Sequence, residues 1–118
     1  MLKKLSHADD RYREIEQMLT LPEVIANNKE YQKLIKEYNK LSEIVLKYRE
    51  FLKAEREMKE ADDMMRDSSL DSELRELAEE DFKERREACE ALSEELKILL
   101  MPLKAQKHLR RTVVVNIY

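Results

Sequence analysis

Not one of the 118 residues is glycine. An average chain carries roughly 7% of it, and glycine supplies the positive-φ positions of tight turns, nucleophile elbows and phosphate-cradling loops. A Walker loop, a dinucleotide fingerprint and a Gly-x-Ser-x-Gly elbow are therefore excluded. The sequence predicts long helices joined by few turns. Only Pro22 and Pro102 interrupt it, and 42% of its residues are charged, close to the Ala/Glu/Lys/Leu/Arg-rich composition of long helices. Such charge is also compatible with disorder, but the apolar residues recur at helical spacing, which argues for order.

Leu5, Tyr12, Ile15 and Leu19 form the stripe of a first amphipathic helix. Leu21-Pro22 stops it, because proline disfavours helix in the residue before it, and Asn27-Asn28 offers the next N-cap. From about Lys29 two seven-residue series run together: Tyr31, Tyr38, Val45 and Leu52, and Leu34, Leu41, Tyr48 and Glu55. This a/d repeat weakens into Met58, Ala61 and Met65. At 1.5 Å per residue the second helix would be about 60 Å long. Arg66-Asp67-Ser68-Ser69-Leu70-Asp71-Ser72 reads as a turn, with Asp71 or Ser72 as the N-cap of a third helix. That helix carries Leu74, Leu77, Ala78, Phe82, Cys89, Leu92, Leu96 and Leu99 on its apolar face, thins around Asp81 and Arg85, and closes at Pro102.

The expected fold is all-α: three helices, the short N-terminal one packed on the base of a long antiparallel helical hairpin, with an extended C-terminal tail. A turn centred near Ser69 puts Lys53 near Arg86 and Leu41 near Ile98. Packing is then three helices thick around residues 34–48 and two thick toward Ser68. Residues 1–102 form the helical domain. In the tail, 103–118, the β-branched and aromatic run Thr112–Tyr118 reads as a strand without a partner.

No residue suggests catalysis, a cofactor or a metal. His7 and His108 lie apart and beside no second ligand type at ligand spacing. Cys89 sits on the apolar stripe and reads as a buried, inert thiol. Asp62-Asp63 and Glu79-Glu80-Asp81-Glu84 read as solvated surface charge rather than an acid–base pair. The chain opens without a signal sequence and has no apolar run of about 18 residues, so a cytoplasmic location and no membrane partner are expected. Residues 1–101 hold 19 Lys/Arg against 26 Asp/Glu, a net −7, while the tail adds +4 from Lys104, Lys107, Arg110 and Arg111. An acidic body is a poor match for phosphates, so no strong direct nucleic-acid binding is expected. Lys29, Lys33, Lys36 and Lys40 do make a basic strip, but Glu30, Glu37, Glu94 and Glu95 should neutralise most of it. Tyr31, Tyr38 and Tyr48 lie on the heptad seam and read as core.

The expected working surface is the hairpin tip, residues 62–74. Met64, Met65 and Leu70 exceed what two helices can cover there. With Arg66 they form the candidate partner contact, and the acidic surroundings favour a basic protein over RNA phosphate.

The order of residues goes further. Glu37-Tyr38-Asn39-Lys40-Leu41-Ser42-Glu43-Ile44, then Ala61-Asp62-Asp63-Met64-Met65, then Asp71-Ser72-Glu73-Leu74-Arg75-Glu76-Leu77-Ala78 resemble, in order and spacing, the N-terminal helical domain of bacterial class I peptide chain release factors, more closely the branch reading UAA and UAG. Leu99-Leu100-Met101-Pro102 is similar to the end of that domain's last helix, so the resemblance covers about residues 1–102. It implies translation termination, with an arm docking near the stalk base of the large ribosomal subunit, and a monomer. It also implies that codon reading and ester cleavage lie elsewhere. A Gly-Gly-Gln motif is impossible in a glycine-free chain, and the Pro-x-Thr tripeptide is absent. The linker Leu103–Arg111 departs from the family in being basic and proline-free. On this reading the chain stops where a middle domain would begin, as a truncated fragment. The alternative is a helical coiled-coil adaptor unrelated to translation, which would self-associate through unpaired a/d residues.

Overall fold

The computed structural model describes residues 2–102 and Gln106. Four helices follow one another: α1 (Leu2–Met18), α2 (Pro22–Ala26), α3 (Asn28–Arg66) and α4 (Ser72–Leu99). The all-α class holds, with one more helix than the sequence predicts. The addition is α2, a single turn within the expected connection. Pro22 stands in its first turn behind an extended Leu21, where the missing N–H costs nothing and the fixed φ suits a helix. Asn27 then caps α3, its Oδ1 accepting the Glu30 N–H at 3.2 Å.

The chain forms two compact units, Met1–Lys47 and Tyr48–Tyr118. In the first, Ile15 of α1, Val24 of α2 and Leu34 of α3 make a buried cluster, with Met18, Leu19, Tyr31, Tyr38 and Leu41 packed on it. Tyr12 stacks on Tyr38, the rings 12° from parallel and their centres 4.3 Å apart. The Ser42 hydroxyl donates to the Tyr38 carbonyl oxygen at 3.0 Å. That leaves Tyr12 as donor in its 3.1 Å bond to Ser42 Oγ. Tyr38 is thus core, as its heptad position requires.

In the second unit the C-terminal half of α3 pairs with α4. Arg85 Nη1 lies 3.3 Å from a Glu57 carboxylate oxygen. The expected register puts Phe82 opposite Glu57, and Arg85, three positions on, reaches Glu57 across the pair with its long side chain. Tyr48, Ala54, Ala61, Ala78, Cys89 and Leu96 are buried here. The seam is not the one the heptads extrapolate to: Leu52, next in the Tyr31 series, is exposed, while Ala54, outside both series, is buried. Alanines let two helices approach closely, so in this unit small residues mark the contact and the larger leucine faces out.

The turn between α3 and α4 needs no glycine, because no described residue has a positive φ. Side chains do the closing. Asp67 Oδ1 accepts from Ser69 N–H at 2.9 Å and from its hydroxyl at 2.6 Å. Asp71 caps α4 by accepting the Leu74 N–H at 2.9 Å. Beyond Pro102 the one described residue, Gln106, is helical, and its amide Nε2 donates to the Leu99 and Met101 carbonyls at 2.9 and 2.5 Å. The expected extended tail and its strand otherwise lie outside the described residues.

Candidate functional site

The closed end of the α3–α4 hairpin is built from the residues the sequence singles out. Met64 is 43% exposed. Met65, one residue on, turns the other way and lines a shallow groove with Ser72, Arg75, Glu76 and Glu79 of α4. Arg66 is exposed and bonded within its own helix, Nε to Asp62 Oδ1 at 3.1 Å. Leu70 is half-buried in the turn, and its N–H reaches the Asp67 carbonyl at 3.3 Å. The four residues therefore share one end of the hairpin, but only Met64 and Arg66 of the four are exposed.

Two further leucines near this end are exposed. Leu74 and Leu77, expected on the inner face of α4, are 42% and 63% exposed. The inner face of α4 is filled by the adjacent Ala78, and a helix with a single neighbour has only a narrow stripe to bury. Leu77 stands among Glu73, Glu76 and Glu80. The signal was in the sequence: Leu74, Leu77 and Ala78 span more of the helix circumference than one partner covers.

The electrostatics of this end are acidic and fixed by local bonds. The Ser69 hydroxyl and then its N–H hold the Asp67 carboxyl below the ordinary aspartate value, with Arg75 adding a smaller effect. Exposed methionine and leucine within such a rim suit a soft apolar contact steered by positive charge on the partner.

The basic strip differs from its sequence reading. Lys29, Lys33, Lys36 and Lys40 are all exposed, and none has an ion pair within 4 Å among the described residues. Glu37, expected to neutralise them, is gripped by Arg11 of α1 in a two-pronged contact, Nε to Oε2 at 2.6 Å and Nη2 to Oε1 at 3.0 Å. That contact pulls the Glu37 carboxyl below the ordinary glutamate range, Lys33 contributing less. Glu94 is likewise engaged, with Lys97 at 3.2 Å.

Cys89 is a buried free thiol. Burial, with Glu55 and Glu90 nearby, pushes its pKa up, the opposite of what a nucleophile needs. Among the described residues no group of three or more His, Cys, Asp or Glu side chains could hold a metal, and no helix is long and apolar enough to cross a membrane.

A family model, that of the PCRF domain, matches residues 8–118. Peptide chain release factor 1 of Acetivibrio thermocellus is 44% identical over 117 residues, which are 99% of this chain and 32% of that protein. Peptide chain release factor 1 of Streptococcus agalactiae serotype Ia and that of Streptococcus pyogenes serotype M5 are each 37% identical over 99 residues, 84% of this chain and 28% of theirs. The chain thus spans about a third of the length of the curated relatives it matches. No solved structure matches it.

Proposed function

The chain belongs to the PCRF-domain family, and from that premise we propose that it is the ribosome-docking helical domain of a translation termination factor, acting in the cytoplasm. The alternative of a helical adaptor unrelated to translation falls with the family match. Docking is by the closed end of the α3–α4 hairpin, and the partner is a basic protein at the stalk base of the large subunit. The observation that carries this is Met64, 43% exposed at the same end of the hairpin as the exposed Leu74 and Leu77, in an acidic setting. Such a contact is weak and salt-sensitive, because its charges are solvated and screened. It places a factor rather than performing its chemistry.

The chain itself cleaves no ester. The resemblance assigns that step to Gly-Gly-Gln, which a glycine-free sequence cannot contain. A monomer is the state proposed, since Ile15, Val24 and Leu34 of the first unit and Leu96 of the second are buried within the chain.

Co-sedimentation of the chain with large ribosomal subunits tests the proposal. The pair Met64→Ser and Leu77→Ser should lower binding several-fold, with the loss greatest at low salt. Binding that is unchanged by the pair would remove the hairpin end as the docking surface.

A further inference from the structure

We propose that the face of α3 carrying Lys29, Lys33, Lys36 and Lys40 is a second contact surface, and that its partner is the phosphate backbone of RNA. The proposal rests on the ribosomal reading for the choice of RNA, but its physical basis is separate from the hairpin end.

These lysines recur at i, i+4, i+7 and i+11, so they share one side of the helix and span about 16 Å along its axis. All four are exposed without an ion pair among the described residues. The carboxylate best placed to quench them, Glu37, is turned to Arg11 with both oxygens. Glu43, one turn beyond Lys40, ends the strip. Charge is divided along the chain in the same sense: residues 1–47 hold nine Lys/Arg against eight Asp/Glu, and residues 48–102 hold ten against eighteen. A polyanion is repelled by the acidic part and finds on α3 a row of four exposed lysines in the part of the chain where cations are not outnumbered.

The residue types set the mode of recognition. Lysine is a point charge that neutralises phosphate without the fixed fork of arginine. The tyrosines that could have stacked bases are core: Tyr38 lies against Tyr12, and Tyr31 packs on the Ile15–Val24–Leu34 cluster. The strip therefore touches backbone and reads no sequence.

The test uses the whole chain with a fluorescein-labelled RNA duplex of about 20 base pairs, followed by anisotropy from low to moderate potassium chloride. Four phosphate contacts give log K falling with log salt with a slope of about −3 to −4. Lys33→Glu with Lys36→Glu should weaken binding at least about tenfold and reduce the slope by about 2. The charge-matched control, Lys53→Glu with Lys59→Glu, should change it less than about threefold. Equal losses from the two pairs, or displacement of the RNA by polyglutamate at lower charge concentration than by unlabelled duplex, would overturn the proposal, the latter in favour of an acidic protein. A parallel co-sedimentation with large subunits separates this from the docking reading. Duplex binding that depends on Lys33 and Lys36 supports the strip even if subunits are not bound. Subunit binding with no duplex binding overturns the strip and leaves the docking reading standing.

Discussion

Arg85 of α4 reaches Glu57 of α3 at 3.3 Å in the stretch of the hairpin where apolar residues are fewest. The guanidinium is also 3.4 Å from Asp81, yet its buried Nε makes no hydrogen bond. Both side chains of the cross-helix pair are about a third exposed. Water therefore screens the pair, and its net worth is of the order of 1 kcal/mol or less.

Arg85→Leu should then melt at the wild-type temperature or above. It keeps the buried stem of Arg85 and removes an imperfectly satisfied cation. Arg85→Ala, which loses that packing, should cost about 1–2 kcal/mol. Thermal unfolding by circular dichroism decides the matter. A leucine variant destabilised as much as the alanine one would show that the ion pair, not packing, holds this segment.

Ile15 is fully buried in the α1–α2–α3 cluster, so Ile15→Ala should cost on the order of 2–5 kcal/mol. Met64→Ala, at a site 43% exposed, should cost clearly less than 1 kcal/mol, in the range of ordinary surface changes. Urea denaturation of the two variants tests the contrast. Equal losses would contradict the burial described.

Acid should loosen the Arg11–Glu37 contact. The Glu37 pKa is lowered in the folded chain, first by its bond to Arg11. The stability it contributes is therefore present above the unfolded carboxylate value and is lost as pH falls through the lower, folded value. Both side chains are 37% exposed, so screening keeps the contribution to about 1 kcal/mol or less. Glu37→Gln should flatten the acid limb of the stability curve by that amount. An unaltered limb would mean that Glu37 titrates as a free side chain.

Cys89 should resist thiol reagents. Its buried, raised-pKa thiol is protonated at neutral pH, and the thiolate is the reactive form. Labelling by a disulfide reagent at pH 7 should be at least about tenfold slower in the native chain than in urea. Comparable rates would show that the site opens readily.

What was legible in the sequence was what local chemistry controls. Pro22 through its ring, and Asn27, Asp67 and Asp71 through side-chain oxygens that accept nearby N–H groups, mark helix ends locally, so the limits of α3 and α4 could be read directly. The Tyr31 and Leu34 series marked the core of the first unit, because α1 and α2 both pack on that stripe of α3. What escaped depends on which neighbour is present. The exposure of Leu77 and the departure of Leu52 from the seam follow from how little of each helix its partner covers. No spacing rule reveals that Arg11, 26 positions away, takes Glu37 from the lysines beside it. At the hairpin end the exposure of Met64 and Arg66 was readable directly, that of Leu74 and Leu77 only by weighing their spread against the single partner of α4.

The absence of any positive-φ position among the described residues bears on how such a chain can change over time. A left-handed backbone position admits little but glycine, so proteins that depend on them keep fixed points at which most substitutions are rejected on steric grounds alone. Here no described position imposes that veto. The turn rests on aspartate and serine side chains, whose roles other short polar residues can assume. Lineages sharing this backbone are therefore free to drift far apart in sequence while keeping the same helices, and identity among them should fade well before the architecture does.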